Sequence, residues 1–247
     1  MIARLACLEP DWPAARTVRA AITLRPGGVS EGPYESLNLA QHVGDDRVRV
    51  DENRRLLSAA LRLPAVPLWL TQVHGCGVAD AGSAPSGCEA DAAHTDVAGR
   101  VCAVLTADCL PLLVTDRSGD EVAAVHAGWR GLAAGVVEAA LSRFRAEPSE
   151  LLVWLGPAIG PDAFEVGPVV REAFVASDPG ADACFRAARP GHWLADIYGL
   201  ARRRLSAAGV GFVGGGEYCT VFEPERFYSY RRDGKTGRMA SLIWIEP

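Results

Sequence analysis

A single α+β domain is the fold class this sequence predicts, and three observations predict it. Short apolar, β-branched runs bounded by glycine, proline or aspartate recur along the chain, as buried strands do. Stretches with helical period lie between them. No composition shift, low-complexity linker, charge block or long-period repeat divides residues 1–247, so one domain is expected to span them. Hydrophobic side chains make up 49% and charged ones 22%, enough to fill a sizeable core and too apolar for a disordered or fibrous chain.

In chain order, residues 20–24 form the first strand-like run. A helix is expected over 51–63, where Leu56, Leu57, Ala60, Leu61 and Leu63 gather on one side while Arg54, Arg55 and Ser58 face water. Strands follow at 67–73 and 101–106. The next apolar run, 112–115, is separated from 101–106 by the polar insertion Ala107-Asp108-Cys109, and Pro111 lacks a ladder donor, so a bend or bulge there turns Asp108 and Cys109 out of the ladder. Residues 121–126 read as a further strand, and a glycine-rich turn leads from it into a helix over 132–145. A strand over 151–155 precedes a helix over 168–177 that carries proline at its first position. The last helix, 194–208, stops at Gly209, and strands at 210–213 and 241–245 complete the set.

Lys and Arg number 25 against 30 Asp and Glu, a formal charge of −5, which gives no global attraction to nucleic acid or anionic lipid but allows a local basic pocket to hold a small anion. A membrane span needs about 20 consecutive apolar residues. The longest charge-free stretch, 63–79, is broken by Pro64, Pro67, Gln72, His74 and glycines. The N-terminal residues show no secretory apolar core, and seven cysteines, an odd count without paired spacing, argue against a disulfide framework. A cytoplasmic protein with reduced thiols is expected.

The chemistry-bearing residues are few. Of five histidines, His74 and His126 end apolar runs beside glycine, and Cys109 stands at the bend. Two imidazoles, one thiolate and an open fourth position is the composition of a catalytic zinc site. The same residues also allow a metal-free arrangement in which Cys109 is a nucleophile, His126 its base, and Asp108 or Gln72 an orienting group. Spacing alone leaves both open. Gly128-Trp129-Arg130-Gly131 leads into a helix and offers a guanidinium and backbone N–H groups to an anion. The cluster Tyr228-Ser229-Tyr230-Arg231-Arg232-Asp233-Gly234-Lys235 reads as a solvated hairpin. Cys102 reads as core, and Cys76 and Cys88 as loop thiols without a role.

The segments around these residues, TQVHG (71–75), LTADCLPLL (105–113) and AVHAGWRGL (124–132), together with SLNLAQHVGDD (36–46), NRRLL (53–57), LGPAIGPDAFEVG (155–167), CT (219–220) and FYSYRRDGKTGRMASLIWI (227–245), give the chain a resemblance to the YfiH family. That family was long labelled multicopper polyphenol oxidoreductase or laccase, and is described as purine nucleoside phosphorylases with adenosine deaminase and methylthioadenosine phosphorylase activities. The resemblance implies a four-layer α-β-β-α sandwich with mixed sheets and zinc held by His74, Cys109 and His126. It also implies purine nucleosides and inorganic phosphate as substrates, in a monomer or weak homodimer.

Within that reading, Arg130 and the adjoining helix N-terminus are the expected phosphate contacts, with Arg232 second. Asp108 is expected to accept a proton or orient a ligand, and Asn38 and Gln72 to hydrogen-bond a sugar or base edge. The sequence retains Asp91 but adds His94, expected on a loop. Copper polyphenol oxidation ranks below zinc chemistry, because five histidines are too few for a multi-centre copper site rich in imidazole. The metal-free cysteine hydrolase remains the main alternative, with a binding protein that lacks turnover as a third.

Overall fold

Strand alternation assigns every layer of this molecule. The computed structural model describes residues 5–247. In chain order its elements are β1 (Cys7–Leu8), β2 (Val18–Thr23), α1 (Arg47–Leu61), β3 (Val78–Asp80), β4 (Ala92–Thr95), β5 (Val101–Thr106), β6 (Leu110–Asp116), β7 (Val122–Ala127), α2 (Trp129–Ala134) and α3 (Val136–Leu141). There follow β8 (Leu151–Leu155), β9 (Glu165–Val166), α4 (Pro168–Val175), β10 (Phe185–Ala187), β11 (Trp193–Ala195), α5 (Ile197–Ala207), β12 (Phe212–Gly215), α6 (Tyr230–Asp233) and β13 (Met239–Ile245).

Two main sheets result. One is antiparallel, in the order β1-β2-β13-β5; the other is mixed, in the order β12-β8-β6-β7-β4-β3, with β12 parallel to β8 and β3 parallel to β4. Because successive side chains leave opposite faces of a strand, Val101, Ala103 and Leu105 pack outward with Leu57 of α1, while Cys102 and Val104 face inward. The inward residues meet Leu113 of β6, Val122 and Ala124 of β7, and Trp154 of β8. The other face of the mixed sheet, with Leu110, Leu112, Val114, Ala123 and Val125, is covered by Leu132, Val137, Phe174 and Leu200 from α2 to α5. The order is α, β, β, α, as the family resemblance implied. A small antiparallel sheet, β10-β11-β9, flanks the outer helices.

Several expected boundaries move, each for a local reason. The helix expected over 51–63 begins at Arg47, because the Asp46 carboxylate accepts the Val48 N–H and caps it, and it ends where Arg62 turns left-handed at φ 50°. The expected helix 132–145 is two helices, α2 starting already at Trp129, with Gly135 at φ 104° between them. Residues 194–195 belong to β11, and α5 starts only after Asp196 caps it through the Gly199 N–H. The run 67–73 is not a regular strand. Leu68 and Thr71 make only isolated bridges, and the Gln72 amide replaces a backbone pairing by accepting from Leu105 N–H and donating to Leu105 C=O. His94 is not on a loop: it is buried in β4, its ring edge-on to Phe144.

Candidate active site

The bend expected at 107–109 is the point where the chain leaves one main sheet for the other. β5 ends in the antiparallel sheet and β6 begins in the mixed one, so Ala107, Asp108 and Cys109 lie across the open end of the sandwich. Asp108 takes φ 88°, and its carboxylate accepts from Thr220 Oγ1 at 2.5 Å and from the Arg231 N–H at 2.7 Å. These bonds hold the crossover and set the direction of Cys109.

His126 reaches the same place from the end of β7. His74 comes from the loop before β3, with φ 60°. That unusual backbone is organised by Asp91, a fully buried carboxylate that accepts from three successive backbone N–H groups, Val73 at 3.2 Å, His74 at 2.9 Å and Gly75 at 2.6 Å. The same carboxylate takes His126 Nδ1 at 2.8 Å, and its own C=O accepts the His126 N–H. One side chain thus positions two of the three chemistry-bearing residues.

The ligand atoms of His74, Cys109 and His126 all lie within 4.8 Å of one another, the one such grouping of three or more among the described residues. Cys109 Sγ is 3.8 Å from His74 Nε2, and the two imidazoles meet edge to face. Gly128 allows this approach, since a Cβ there would stand 2.9 Å from both Cys109 Sγ and His74 Cδ2. Burial alone would raise the Cys109 pKa, but the charge of His126 and hydrogen bonds from both histidines outweigh it and favour the thiolate. Burial disfavours a charged His126, yet the thiolate and Asp91 raise its pKa above the ordinary histidine range. Burial also opposes the Asp91 charge, and the hydrogen bonds it accepts from His126, Gly75 and His74 hold its pKa below the usual carboxylate value.

This donor set fits a metal ion. A thiolate and two imidazoles would supply three ligands, the protein's share of a catalytic zinc site, and with Asp91 on His126 Nδ1 it is Nε2 that would hold the ion.

Two clefts meet at the cluster. The first, of about 270 Å³, has His42, Gln72, Thr106 and Arg238 on its walls. The second is walled by Trp129, Ile159, Phe164 and Ile197, with Asp108, Arg130 and Arg231 at its edge. His74, Ala107, Cys109 and Tyr230 belong to both and form the partition between them.

Of the residues singled out in the sequence, His74, Cys109 and His126 converge; Gln72 and Asp108 line the clefts, and Arg130 lies exposed over the Trp129 ring at 4.5 Å. Two do not reach the site. Asn38 is fully buried and donates to Ala40 C=O and Asp45 while accepting from the Ala40 and Arg238 N–H groups, so no amide atom remains for a sugar or base. Arg232 is spent on Asp233 and on the carbonyls of Thr220, Val221 and Phe227. The segment expected as a solvated hairpin instead contains buried Tyr228 and the short helix α6, and it sends Tyr230 and Arg231 to the clefts. Asp91, His42, Tyr230 and Arg238 had no local signal strong enough to place them at the site. Asp91 could have been suspected from an aspartate preceding an apolar run, and the others only from their proximity in space.

A family model described as multi-copper polyphenol oxidoreductase laccase matches residues 19–246. A protein of Pseudomonas aeruginosa named purine nucleoside phosphorylase is 56% identical over 243 residues, covering 98% of this chain and 99% of its own. The Escherichia coli protein named purine nucleoside phosphorylase YfiH is 54% identical over 96% of this chain and 98% of its own. Among solved structures, a Neisseria meningitidis protein superposes with a TM-score of 0.95 at 49% identity, covering 98% of this chain and 99% of its own. YlmD from Geobacillus stearothermophilus follows with a TM-score of 0.91 at 34% identity, covering 100% and 98%.

Proposed function

The chain belongs to the family described as multi-copper polyphenol oxidoreductase laccase, and from that premise we propose that it is a zinc-dependent purine nucleoside phosphorylase. In this reading residues 1–247 act as one catalytic unit, which also deaminates adenosine and phosphorolyses S-methyl-5′-thioadenosine. The observation that carries the proposal is the convergence of His74, Cys109 and His126 at the partition between two clefts. The names of the near-full-length bacterial relatives support the phosphorylase part. Copper oxidation is the poorer reading, because only two of the chain's five histidines stand in the cluster and a multi-centre copper site rich in imidazole needs more.

Phosphorolysis breaks the bond from C1′ to the base nitrogen and forms one from C1′ to a phosphate oxygen; the departing base takes up a proton, giving purine and ribose 1-phosphate. The chain must therefore hold an anion, hold a flat apolar base, and shield C1′ from water while positive charge develops there. Both clefts open on the same partition, which brings the two reactants together. Held by Asp91, His126 keeps one ring orientation and one tautomer. When bound, zinc supplies Lewis acidity and lowers the pKa of a bound water from ~15.7 to ~7, the chemistry that deamination needs.

One further observation favours the alternative. Cys109, His126 and Asp91 also form a thiol–imidazole–carboxylate series, the arrangement of a cysteine hydrolase. Metal analysis by mass spectrometry, with adenosine turnover measured with and without inorganic phosphate, separates the two. Stoichiometric zinc with adenine released only in the presence of phosphate supports the phosphorylase, and inosine formed without phosphate adds the deaminase. Metal-free protein whose hydrolytic activity is abolished by thiol alkylation would overturn the zinc reading in favour of the cysteine hydrolase.

A further inference from the structure

The two clefts differ in their linings, and we infer that they divide the substrates: inorganic phosphate binds in the His42–Arg238 cleft and the purine base in the Trp129–Phe164 cleft. The sugar then spans the partition of His74, Cys109 and Tyr230. This assignment rests on the phosphorylase reading and adds to it which side takes the anion.

The first cleft carries one arginine with unused donors, and the Cys109 thiolate is the anion that shares its lining. Its lining holds Arg238 and the imidazoles of His42, His74 and His126, and no aspartate or glutamate. The Arg238 guanidinium is half-buried and only its Nη1 is engaged, on the carbonyls of Thr236 and Gly237. Among the described residues, Nε and Nη2 have no partner. Two adjacent donors on one edge of a guanidinium match two oxygens of a phosphate. The backbone carrying it is fixed as well, since the Arg238 N–H donates to buried Asn38 Oδ1 at 3.0 Å. A preformed donor at a partly dry site spends little on ordering when the anion arrives.

The second cleft suits a flat apolar ring. Trp129, Ile159, Phe164 and Ile197 supply its walls, and Asp108 places a carboxylate among them. All three arginines lie near ring faces, Arg130 4.5 Å from the Trp129 ring centre, Arg231 5.7 Å from that of Phe164 and Arg238 6.0 Å from that of Tyr230; they differ in that Arg130 is exposed at the surface while Arg238 is half-buried. Arg231 Nη1 also donates to the carbonyls of Ala163 and Glu165. The arginine that sequence reasoning placed on phosphate, Arg130, therefore sits on the base side, and Arg238 replaces it.

Steady-state kinetics on the zinc-loaded protein, varying adenosine and phosphate independently, test the division. Arg238→Gln is expected to raise the phosphate KM by at least about tenfold, the loss of a charge-assisted pair, with the adenosine KM nearly unchanged. Arg238→Lys, which keeps the charge and loses the fork, falls between. Phe164→Ala raises the adenosine KM and leaves that of phosphate in place, and Arg130→Gln does not move the phosphate KM. Calorimetric titration with inorganic phosphate alone provides a readout independent of turnover: binding is lost in Arg238→Gln and kept in Arg130→Gln, with matching thermal unfolding to show that both variants fold. If Arg130→Gln loses phosphate, or Arg238→Gln raises the adenosine KM instead, the division is overturned while the phosphorylase reading stands. Wild-type protein that neither binds phosphate nor needs it for adenine release overturns the phosphorylase reading itself.

Discussion

Asp91 accepts the Nδ1–H of His126 at 2.8 Å while its second carboxylate oxygen receives the Gly75 N–H at 2.6 Å, so one buried side chain ties the end of β7 to the loop that carries His74. Neither histidine is rigid on its own. His126 is a strand-end side chain, and His74 sits in a left-handed backbone that its neighbours must impose.

Asp91→Asn should therefore act on the metal more than on the fold. The amide keeps the shape and one acceptor oxygen but places an NH₂ group opposite donors that the carboxylate satisfies. A loss of about 10- to 100-fold in zinc affinity is expected, typical when the partner of a ligating histidine is removed, and competition with a chromogenic chelator measures it. Asp91→Ala leaves the buried His126 imidazole and the N–H groups of residues 73–75 without that partner and is expected to cost about 3–5 kcal/mol of stability as well, read from urea unfolding.

Gly128→Ala tests the packing. A methyl group 2.9 Å from Cys109 Sγ and His74 Cδ2 cannot be accommodated unless a ligand moves. The backbone at Gly128 has φ −60°, which alanine adopts freely, so the substitution acts through space and not through the chain. We expect weakened zinc binding with a near-native circular dichroism spectrum. Unchanged zinc affinity would show that the three ligands tolerate an expanded site.

Cys109 should be the most reactive thiol of the metal-free protein. Its pKa lies below the ordinary thiol value, so the thiolate persists at neutral pH and is lost only as pH falls through that lowered pKa. Burial pushes Cys102 the other way, and it has no surface exposure. Iodoacetamide at pH 7 followed by peptide mass spectrometry is expected to label Cys109 well before Cys102. Saturating zinc should protect Cys109, because the ligating sulfur is no longer free to attack.

Asn38→Ala is expected to loosen Arg238 without touching either cleft directly. The variant removes the acceptor of the Arg238 N–H and two donors inside a buried network, at a cost of about 1–3 kcal/mol. Thermal unfolding measures that cost. Phosphate titration should show a weaker site than in wild type, and an unchanged phosphate affinity would remove Asn38 from the positioning of Arg238.

Much of the architecture was legible in order. The runs 101–106 and 151–155 coincide with β5 and β8, because each is apolar on both faces and bounded by strong breaks. Short strands such as β3, β9 and β10 left no periodic trace in two or three residues. Asn38 and Arg232 looked like binding residues because a polar side chain in a distinctive motif can serve a ligand or the backbone equally well, and only the count of its partners separates the two. The 107–109 insertion showed itself as a break in the apolar pattern, though not as the crossing between sheets.

Local chemistry thus determined which groups can react. Two histidines beside glycine and one cysteine at a bend are properties of the chain read residue by residue, and apolar residues at period two or near four mark the strands and helices, while the order of the layers came from the family resemblance and not from the pattern. What only the tertiary structure decided is which polar groups are already satisfied. Asp91 lies 35 positions from His126 in the sequence, and Arg238 is joined to Asn38 across 200; pairings over such separations are set by how the two sheets stack, and no local pattern encodes them.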